Sequence, residues 1–228
     1  MGLHLAGQML LVWAFAANLV AGAGFVLAAR GQRQYLGLAR LSYFVLAGVT
    51  VAASALLYYL FFTHNFAFKY VFEYSDSQLS FFYLVSAFWG GQEGTYLLWL
   101  LMSVAFGFII LKTAGQYTNW ALAAYAAVNL FFTTMLLKVS PFAFLSFYAA
   151  DGAGLNPLLL DPWMVVHPPV MFVGYALAGA PFAIAIAALI MNDYTEWTRR
   201  VFPWVAGTAL FLAADRKSTR LNSSHGKL

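Results

Sequence analysis

Residues 5–29 read LAGQMLLVWAFAANLVAGAGFVLAA and contain no charged side chain. A hydrocarbon core about 30 Å thick needs roughly 20 apolar residues for each helical crossing, so this stretch is long enough to span a membrane. It also exceeds the ~7–15 apolar residues of a signal-peptide core, and no lysine or arginine precedes it. The stretch therefore predicts a first membrane span that the mature protein retains.

The composition of the whole chain extends this interpretation. Of its 228 residues, 63% are hydrophobic and 9% are charged, whereas roughly a quarter of the residues in a soluble globular domain are charged. We therefore expect an all-α fold, a polytopic transmembrane helical bundle in the lipid bilayer. The formal net charge of +4 comes without a basic face, because the arginines are confined to short loops. Binding of nucleic acid is therefore not expected.

The chain contains no cysteine. This excludes a disulfide framework, a CxxC redox pair, a thiolate metal site and attachment of a prosthetic group to this chain through thioethers. Any thiol chemistry therefore belongs to a partner.

Apolar runs elsewhere predict about five complete spans, a truncated sixth and an ordered external loop. The loop is the stretch at residues 141–169, which carries Asp-Gly, Asn-Pro and Asp-Pro turn signals. The last apolar run is short for a crossing of about 20 residues. The predicted spans cover residues 5–29, 41–62, 95–111, 120–137 and 170–191, and the sixth begins within residues 202–214.

Lysine and arginine set the predicted orientation, since cytoplasmic loops carry an excess of them. If consecutive spans alternate in direction, only Lys69 and Lys138 fall on the external side. The N-terminus, residues 63–80 and the loop at residues 141–169 are then external. The residues predicted on the cytoplasmic side are Arg30, Arg33, Arg40, Lys112, Arg199 and Arg200.

The C-terminal stretch DRKSTRLNSSHGKL is polar and lacks the apolar pattern of the rest of the chain. It is typical of vector- or adapter-derived sequence joined to a reading frame. We therefore divide the chain into the N-terminal part of a membrane domain at residues 1–212 and a non-native tail at residues 213–228. The tail is given no part in function.

The sharpest motif is LNPLLLDPWMVVHPPVMFVGY, residues 155–175, in which His167 stands before two prolines. Proline suits the first helical turn, so Pro168 and Pro169 predict a helix start with His167 at its cap. A neutral imidazole is a common axial ligand of haem iron, and a rigid apolar loop is suited to receive a porphyrin. From these residues alone, a capping or interface histidine is the alternative.

A second motif is WGGQEGTYLLW, residues 89–99. Its glycines permit close backbone approach, and Glu93 is predicted near a helix N-terminus, where the dipole favours negative charge. An ionisable residue beside a span marks function by default, yet Glu93 also suits a helix cap. Gly90 and Gly94 also suit close helix packing. Trp89, Gly90, Glu93 and Gly94 therefore form a possible functional motif with both interpretations open.

His64, at the outer end of the second predicted span, is a weaker candidate for a haem or metal partner, with a polar interface residue as the alternative. The sequence has no HExxH, no serine-nucleophile elbow and no two-histidine cluster. No metal site other than haem iron at His167 is therefore predicted, and no catalytic residue is assigned.

The two motif blocks together resemble a known family. KYVFEYSDSQLSFFYLVSAFWGGQEGTYLLWLL, residues 69–101, is followed by a span and then by GLNPLLLDPWMVVHPPVMFVGY, residues 154–175. In order and spacing these blocks resemble the N-terminal third of the CcmF/CcsA haem-handling family of cytochrome c biogenesis, and its CcmF-type haem lyases in particular. The resemblance covers most of residues 1–212.

The resemblance implies cytochrome c maturation, with binding of haem b and its presentation on the external face of the inner membrane for covalent attachment to apocytochrome c. It implies that His167 is an axial ligand and one of two external histidines that flank the haem. The implied partners are a haem chaperone, apocytochrome c and other cytochrome c maturation membrane subunits. The supporting loop is assigned to Pro168, Pro169, Asn156, Asp161 and Trp163.

The family's second external histidine and its tryptophan-rich segment have no counterpart in this sequence, so the chain is expected to be part of a haem lyase complex and not to be active alone. An alternative function is a secondary transporter or ion-coupling membrane subunit, motivated by the broken span at residues 90–94 and by Glu93. A third is a structural membrane subunit whose polar residues only cap and pack.

Overall fold

The computed structural model describes residues 2–225, with the side chains of all but Met164 and residues 217–225. Within that part the chain is helical, and β-structure is limited to an isolated antiparallel bridge between Phe68 and Phe144. The predicted all-α class is confirmed. The helices are α1 (Gly2–Ala29), α2 (Leu36–Phe62), α3 (Lys69–Tyr74), α4 (Phe81–Ser86), α5 (Gln92–Thr113), α6 (Thr118–Lys138), α7 (Pro162–Met191) and α8 (Trp197–His225).

Five of these helices are long and apolar enough to cross a membrane, namely α1, α2, α5, α6 and α7. Their apolar windows have a mean hydropathy between 1.6 and 2.1, because each contains few charged residues. The prediction of about five complete spans is therefore confirmed. Helix α8 is not among the five, since its second half is polar.

Small residues allow the spans to pack closely. Helix α1 lies between α2 and α6, and α5 contacts α2, α6 and α7. A Cβ atom on Gly24 of α1 would lie 2.8 Å from the Ala39 methyl group of α2, an approach that small residues permit between membrane helices. Asn18, buried in the same helix, donates a hydrogen bond to the Ala126 carbonyl of α6 at 2.9 Å.

The connections between spans lie at two ends of the bundle. The arginine end comprises residues 30–35, 114–117 and 192–200. The loop end comprises residues 63–91 and 139–161, together with the adjoining helix ends. Consecutive spans alternate in direction, so both candidate motifs lie at the loop end.

Two long connections form one cap at the loop end. Backbone hydrogen bonds join residues 67–75 to residues 143–154, with N···O distances between 2.7 and 3.1 Å. Asp151 strengthens the junction, because its carboxylate accepts the backbone N–H of Ser77 at 2.9 Å and the Ser77 hydroxyl at 2.6 Å. These two bonds, with that from the Gly152 N–H, lower the pKa of Asp151. The cap is therefore ordered, as predicted.

Helix α7 begins earlier than predicted. The expectation that Pro168 and Pro169 mark its start is wrong, because α7 starts at Pro162 and both prolines lie in its second turn. Asp161 supplies the cap by accepting the backbone N–H of Trp163 at 2.8 Å, and proline suits the first helical position. The loop before α7 therefore ends at residue 161 rather than at 169.

Two further helices extend beyond the predicted runs. Helix α2 begins at Leu36, so Arg40 lies within the helix and not in the loop before it. Helix α8 continues into the predicted tail at residues 213–228, of which residues 226–228 lie outside the described residues. The division of the chain into a membrane domain and a non-native tail stays a prediction.

Candidate functional site

A tyrosine hydroxyl holds the turn that precedes α5. The hydroxyl of Tyr70 donates to the Phe88 carbonyl at 3.0 Å and accepts the N–H of Gly91 at 3.0 Å. Burial raises the pKa of Tyr70, and the charge of nearby Glu93 raises it further, so the hydroxyl keeps its proton. One side chain therefore donates and accepts at once, and it fixes the break between α4 and α5.

Glycines in the same turn leave no room for a side chain. A Cβ atom on Gly94 would lie 1.7 Å from the Phe88 carbonyl oxygen and 2.4 Å from the Tyr70 hydroxyl. A Cβ atom on Gly91 would lie 2.4 Å from the ring of Tyr74. The predicted close backbone approach is confirmed, but at Gly94 the approach is to the cap and not to a neighbouring span.

Glu93 lies in the first turn of α5, as predicted. The residue at the N-cap, Gly91, has no side chain to cap the helix. A carboxylate in the first turn interacts favourably with the unpaired N–H groups there. The pKa of Tyr74 is raised by burial and then by the charge of Glu93. This position favours the helix-terminus interpretation of Glu93 and adds no support to the secondary-transporter alternative.

Two capped turns lead into α7. Asn156 begins a short turn at Pro157–Leu159, where its side chain accepts a backbone N–H at 3.0 Å. Asp161 does the same at the start of α7. Both residues therefore shape the supporting loop through backbone contacts.

His167 lies in the second turn of α7, and its side chain is 25% exposed. Its Nδ1 atom forms a hydrogen bond with the carboxylate of Asp215 in α8. Asp215 belongs to the predicted tail, so no function is assigned to this contact. Pro168 and Pro169 follow directly, and because proline has no N–H, the first turns of α7 have fewer internal hydrogen bonds than an ordinary helix.

The two motifs meet in a small pocket at the loop end, which we call the Trp89 pocket. Tyr83 of α4 fixes the adjacent loop by donating to the Leu160 carbonyl. The Nε1 atom of Trp89 is buried and has no hydrogen-bond partner among the described residues. A buried donor without an acceptor is costly, so a ligand that supplies an acceptor would satisfy it. The pocket is lined by Ser86, Trp89, Gly90, Leu155, Leu159 and Pro168.

The first turns of α7 also present an exposed apolar face. Trp163 is 47% exposed and Val166 is 48% exposed. Residues three and four apart are neighbours on a helix surface, so Trp163 and His167 share a face. Trp163 therefore lies along the helix from His167 but does not line the Trp89 pocket.

The C-terminal end of α2 carries a strained residue. His64 has a φ of 48°. The N–H of Asn65 donates to the Leu60 carbonyl and the N–H of His64 donates to the Phe61 carbonyl, both at 3.0 Å. This pattern is the Schellman motif, which usually has glycine at the His64 position. A left-handed conformation costs other residues about 1–2 kcal/mol, so histidine occupies this position at a cost in stability.

His64 lines a larger pocket at the loop end, which we call the His64 pocket. Its volume is about 560 Å³, within the range of roughly 300–1,000 Å³ that is usual for ligand pockets. The Nδ1 atom of His64 is buried and has no hydrogen-bond partner in the described part of the chain. No lysine, arginine, aspartate or glutamate is among the described residues that line the pocket, and its walls include Tyr59, Asn65, Phe144, Phe147 and Tyr148.

Tyr70, Tyr83 and Asp151 have structural roles that no sequence pattern predicted. Both tyrosines lie in the block at residues 69–101 that carries the family resemblance, which is the one signal pointing to them. Their partners are backbone carbonyls 18 and 77 residues away. Every residue type carries the same backbone carbonyl, so a single sequence does not show which residue accepts such a hydrogen bond.

Comparisons with known proteins support the resemblance. A family model described as "Cytochrome C assembly protein" matches residues 89–224. The chain is 33% identical over 215 residues to the cytochrome c-type biogenesis protein CycK of Rhizobium meliloti (strain 1021), an alignment that covers 91% of this chain and 32% of that protein. It is 32% identical over 194 residues to the cytochrome c-type biogenesis protein CcmF of Escherichia coli (strain K12), covering 81% of this chain and 30% of that protein.

A solved structure described as "Cytochrome c Heme Lyase CcmF" shares the fold, with a TM-score of 0.80 at 23% identity over 94% of this chain and 35% of that chain. The apolar helices and the bacterial relatives indicate a multi-pass protein of the inner membrane. The chain belongs to the cytochrome c assembly protein family, and the predicted resemblance is confirmed. It spans about a third of the length of the curated relatives that it matches.

Proposed function

We propose that this chain acts in cytochrome c maturation by binding haem and presenting it for covalent attachment to apocytochrome c. One observation carries the proposal: in a chain of the cytochrome c assembly family, Pro168, the neighbour of His167, lines a pocket together with Trp89 and Gly90 of the other motif. Haem is the cargo, held as haem b without a covalent bond, in keeping with a chain that has no cysteine.

With a volume of about 20 Å³, the Trp89 pocket is far smaller than the roughly 300–1,000 Å³ of an ordinary ligand pocket, so in this proposal it receives only one edge of the porphyrin. Leu155, Leu159 and Pro168 provide an apolar wall, and Trp89, which also lines the pocket, has a buried Nε1–H without an acceptor among the described residues. His167 supplies an imidazole nitrogen of the kind that ligates haem iron.

The residues around His167 act as positioning residues in this proposal. Pro168 and Pro169 restrict the backbone that carries the imidazole, because the proline ring fixes φ. Asn156 and Asp161 hold the preceding loop by capping its turns. Trp163 extends the apolar surface along the same helix face.

We further propose that the loop end lies on the external face of the inner membrane. The distribution of lysine and arginine supports this orientation, since residues 30–35 and 192–200 carry four arginines at the opposite end. Haem would then be presented outside the cytoplasm, where a haem chaperone delivers it and apocytochrome c receives it. Because the chain spans about a third of its relatives, we assign covalent attachment to the complete assembly with other maturation membrane subunits.

Titration of the purified chain with ferric haem in detergent tests the role of His167. We expect His167→Ala to weaken haem affinity about tenfold or more, because the iron loses its protein nitrogen ligand. Added imidazole should restore the Soret absorbance of the variant, since the free base supplies the missing ligand. An unfolded variant would not respond in this way.

His4→Ala provides the matched control. His4 also lies at the loop end, where its Nδ1 atom is hydrogen-bonded to the Phe142 carbonyl at 2.6 Å. This substitution should leave the haem spectrum unchanged. If His167→Ala binds haem with the affinity and spectrum of the parent chain, His167 is not the ligand.

A further inference from the structure

We propose that the His64 pocket is a second ligand site, which holds a planar, largely apolar anion of the porphyrin class before it reaches His167. The proposal rests on the haem role proposed above, but it concerns a different pocket and different side chains. Three properties of the pocket support it: the strained backbone at His64, the buried Nδ1 atom of its ring, and an aromatic wall.

His64 has a left-handed backbone, with a φ of 48°, at the position where α2 ends. Glycine ends a helix in the Schellman motif without steric cost, so capping alone does not call for an imidazole. The other described non-glycine residue with positive φ is Asn192, at the end of α7, and asparagine visits this conformation more readily through local hydrogen bonding. Strained residues of this kind cluster at ligand sites.

The buried Nδ1 atom determines how the imidazole meets a ligand. A buried N–H without a partner is rarer in proteins than a buried acceptor without one. Because the ring lines the pocket, its imidazole is a polar group that can form a hydrogen bond with a polar substituent of a bound ligand.

The wall opposite His64 suits a flat conjugated ring. Phe147 is 57% exposed and Tyr148 is 92% exposed, and both line the pocket with Phe144. Aromatic side chains stack favourably on planar rings. The lining combines aromatic residues with polar ones such as Thr63 and Asn65, and the described residues contain no group of three His, Asp or Glu side chains that could hold a metal ion.

One segment of chain connects this site to the Trp89 pocket. Phe144, Leu145 and residues 147–150 line the His64 pocket, and Leu155 and Leu159 line the Trp89 pocket. Between them, Asp151 is fixed to Ser77 by two hydrogen bonds. A ligand held beside His64 is therefore at the same end of the bundle as His167, along a continuous and ordered loop.

Binding of metal-free protoporphyrin IX to the purified chain in detergent, followed by quenching of protein fluorescence, tests the proposal. This probe has no iron, so it does not depend on an axial ligand. We expect His64→Gly to weaken protoporphyrin affinity about tenfold while raising the thermal midpoint, because glycine relieves the left-handed strain. Tyr148→Ala should also weaken binding, because it removes a stacking surface.

Two matched controls separate the ligand site from general effects. Asn192→Gly makes the same kind of change at the other positive-φ helix end, and it should leave protoporphyrin affinity unchanged. Phe81→Ala removes an aromatic side chain that is 72% exposed and does not line the pocket, and it should also have no effect. If His64→Gly and Tyr148→Ala bind the probe like the parent chain, the pocket is not a porphyrin site and its aromatic residues serve as interface anchors.

The outcome for this site is distinguishable from the outcome for His167. His167→Ala should lose haem coordination but keep the protoporphyrin binding that depends on His64. His64→Gly should keep haem coordination but bind protoporphyrin more weakly. Loss of iron coordination in His167→Ala alone, with protoporphyrin binding kept in both variants, would support His167 and overturn the proposal for the His64 pocket.

Discussion

The two ends of the bundle are held together by different means. At the loop end, glycines bring the backbone against carbonyl groups and aromatic rings so closely that a Cβ atom on Gly94 or Gly152 would lie within 2 Å of a carbonyl oxygen. At the arginine end, half-exposed polar side chains make connections beside one buried bridge, in which the Tyr117 hydroxyl donates to the Asp193 carbonyl at 3.0 Å. Arg200 binds Glu196 at 2.8 Å and Gln116 binds Asp193 at 2.7 Å.

This difference teaches where the molecule is rigid. Where the backbone is closely packed, a shift of the chain pushes its atoms against their neighbours. Such a shift costs energy, so no other arrangement of that backbone has a similar energy. Exposed ion pairs contribute little and exchange partners with water and salt. The end that carries both candidate ligand pockets is therefore the end whose geometry is fixed by packing, as a preorganised binding site requires.

The largest effect is expected for Gly94→Ala. Its new methyl group would overlap the Phe88 carbonyl, which lies 1.7 Å from the Cβ position, and the loss of stability should be about 3 kcal/mol. The thermal midpoint of the purified chain in detergent measures it. Gly48→Ala is the control, because no atom lies within 4 Å of a Cβ there. Equal midpoints for the two variants would show that the loop end is not closely packed.

A smaller effect is expected for Tyr70→Phe. This change leaves the Phe88 carbonyl and the Gly91 N–H without their partner, which should cost about 2 kcal/mol. Tyr96→Phe removes a hydroxyl that accepts only an exposed Gln92 side chain, and it should cost much less. Proteolysis at the loop end reports both variants. A Tyr70→Phe variant as resistant as the parent would exclude the hydroxyl as a structural bridge.

The smallest effect is expected for Glu196→Gln at the arginine end. The hydrogen bonds from Arg200 and then Arg199 lower the pKa of Glu196 below its ordinary value of 4.5. Its contribution to stability is therefore present above that value and is lost as pH falls through the lowered pKa of the folded protein.

The thermal midpoint of the parent chain should be lower at high salt than at low salt, because salt screens exposed charges. The midpoint of Glu196→Gln should depend less on salt, so the parent should approach the variant at high salt. The matched substitution Glu73→Gln breaks the exposed Lys69–Glu73 pair at the loop end, where N and O are 3.7 Å apart. If Glu196→Gln lowered the thermal midpoint equally at low and high salt, and by more than Tyr70→Phe does, the arginine end would be the more rigid of the two ends.

The spans were predictable from sequence because a long apolar run has one stable location, the bilayer. The start of α7 was not, because two proline sites compete for it. Pro162 has an aspartate before it, whereas Pro168 has His167, so the better N-cap decides the start. The capping preference was present in the sequence, but the Pro-Pro pair gave the stronger signal.

The candidate sites were predictable in part. His167 and the Trp89 motif stood out as residue types, and their placement at one end followed from the order of spans. Their meeting at Pro168 and Leu155 depends on how loops cross in three dimensions. The strain at His64 depends on a backbone angle, and a single sequence contains no signal for it unless the residue is glycine.

The bond between Ser77 and Asp151 also has a consequence for how the protein is made. The two residues are 74 positions apart, and at a synthesis rate of ~5–20 residues per second the first waits roughly 4–15 seconds for the second. During that interval α5 and α6 leave the ribosome and must enter the bilayer. Both pockets are therefore completed only after the chain beyond α6 has been made, and binding of a ligand in either pocket would report that insertion has proceeded past α6.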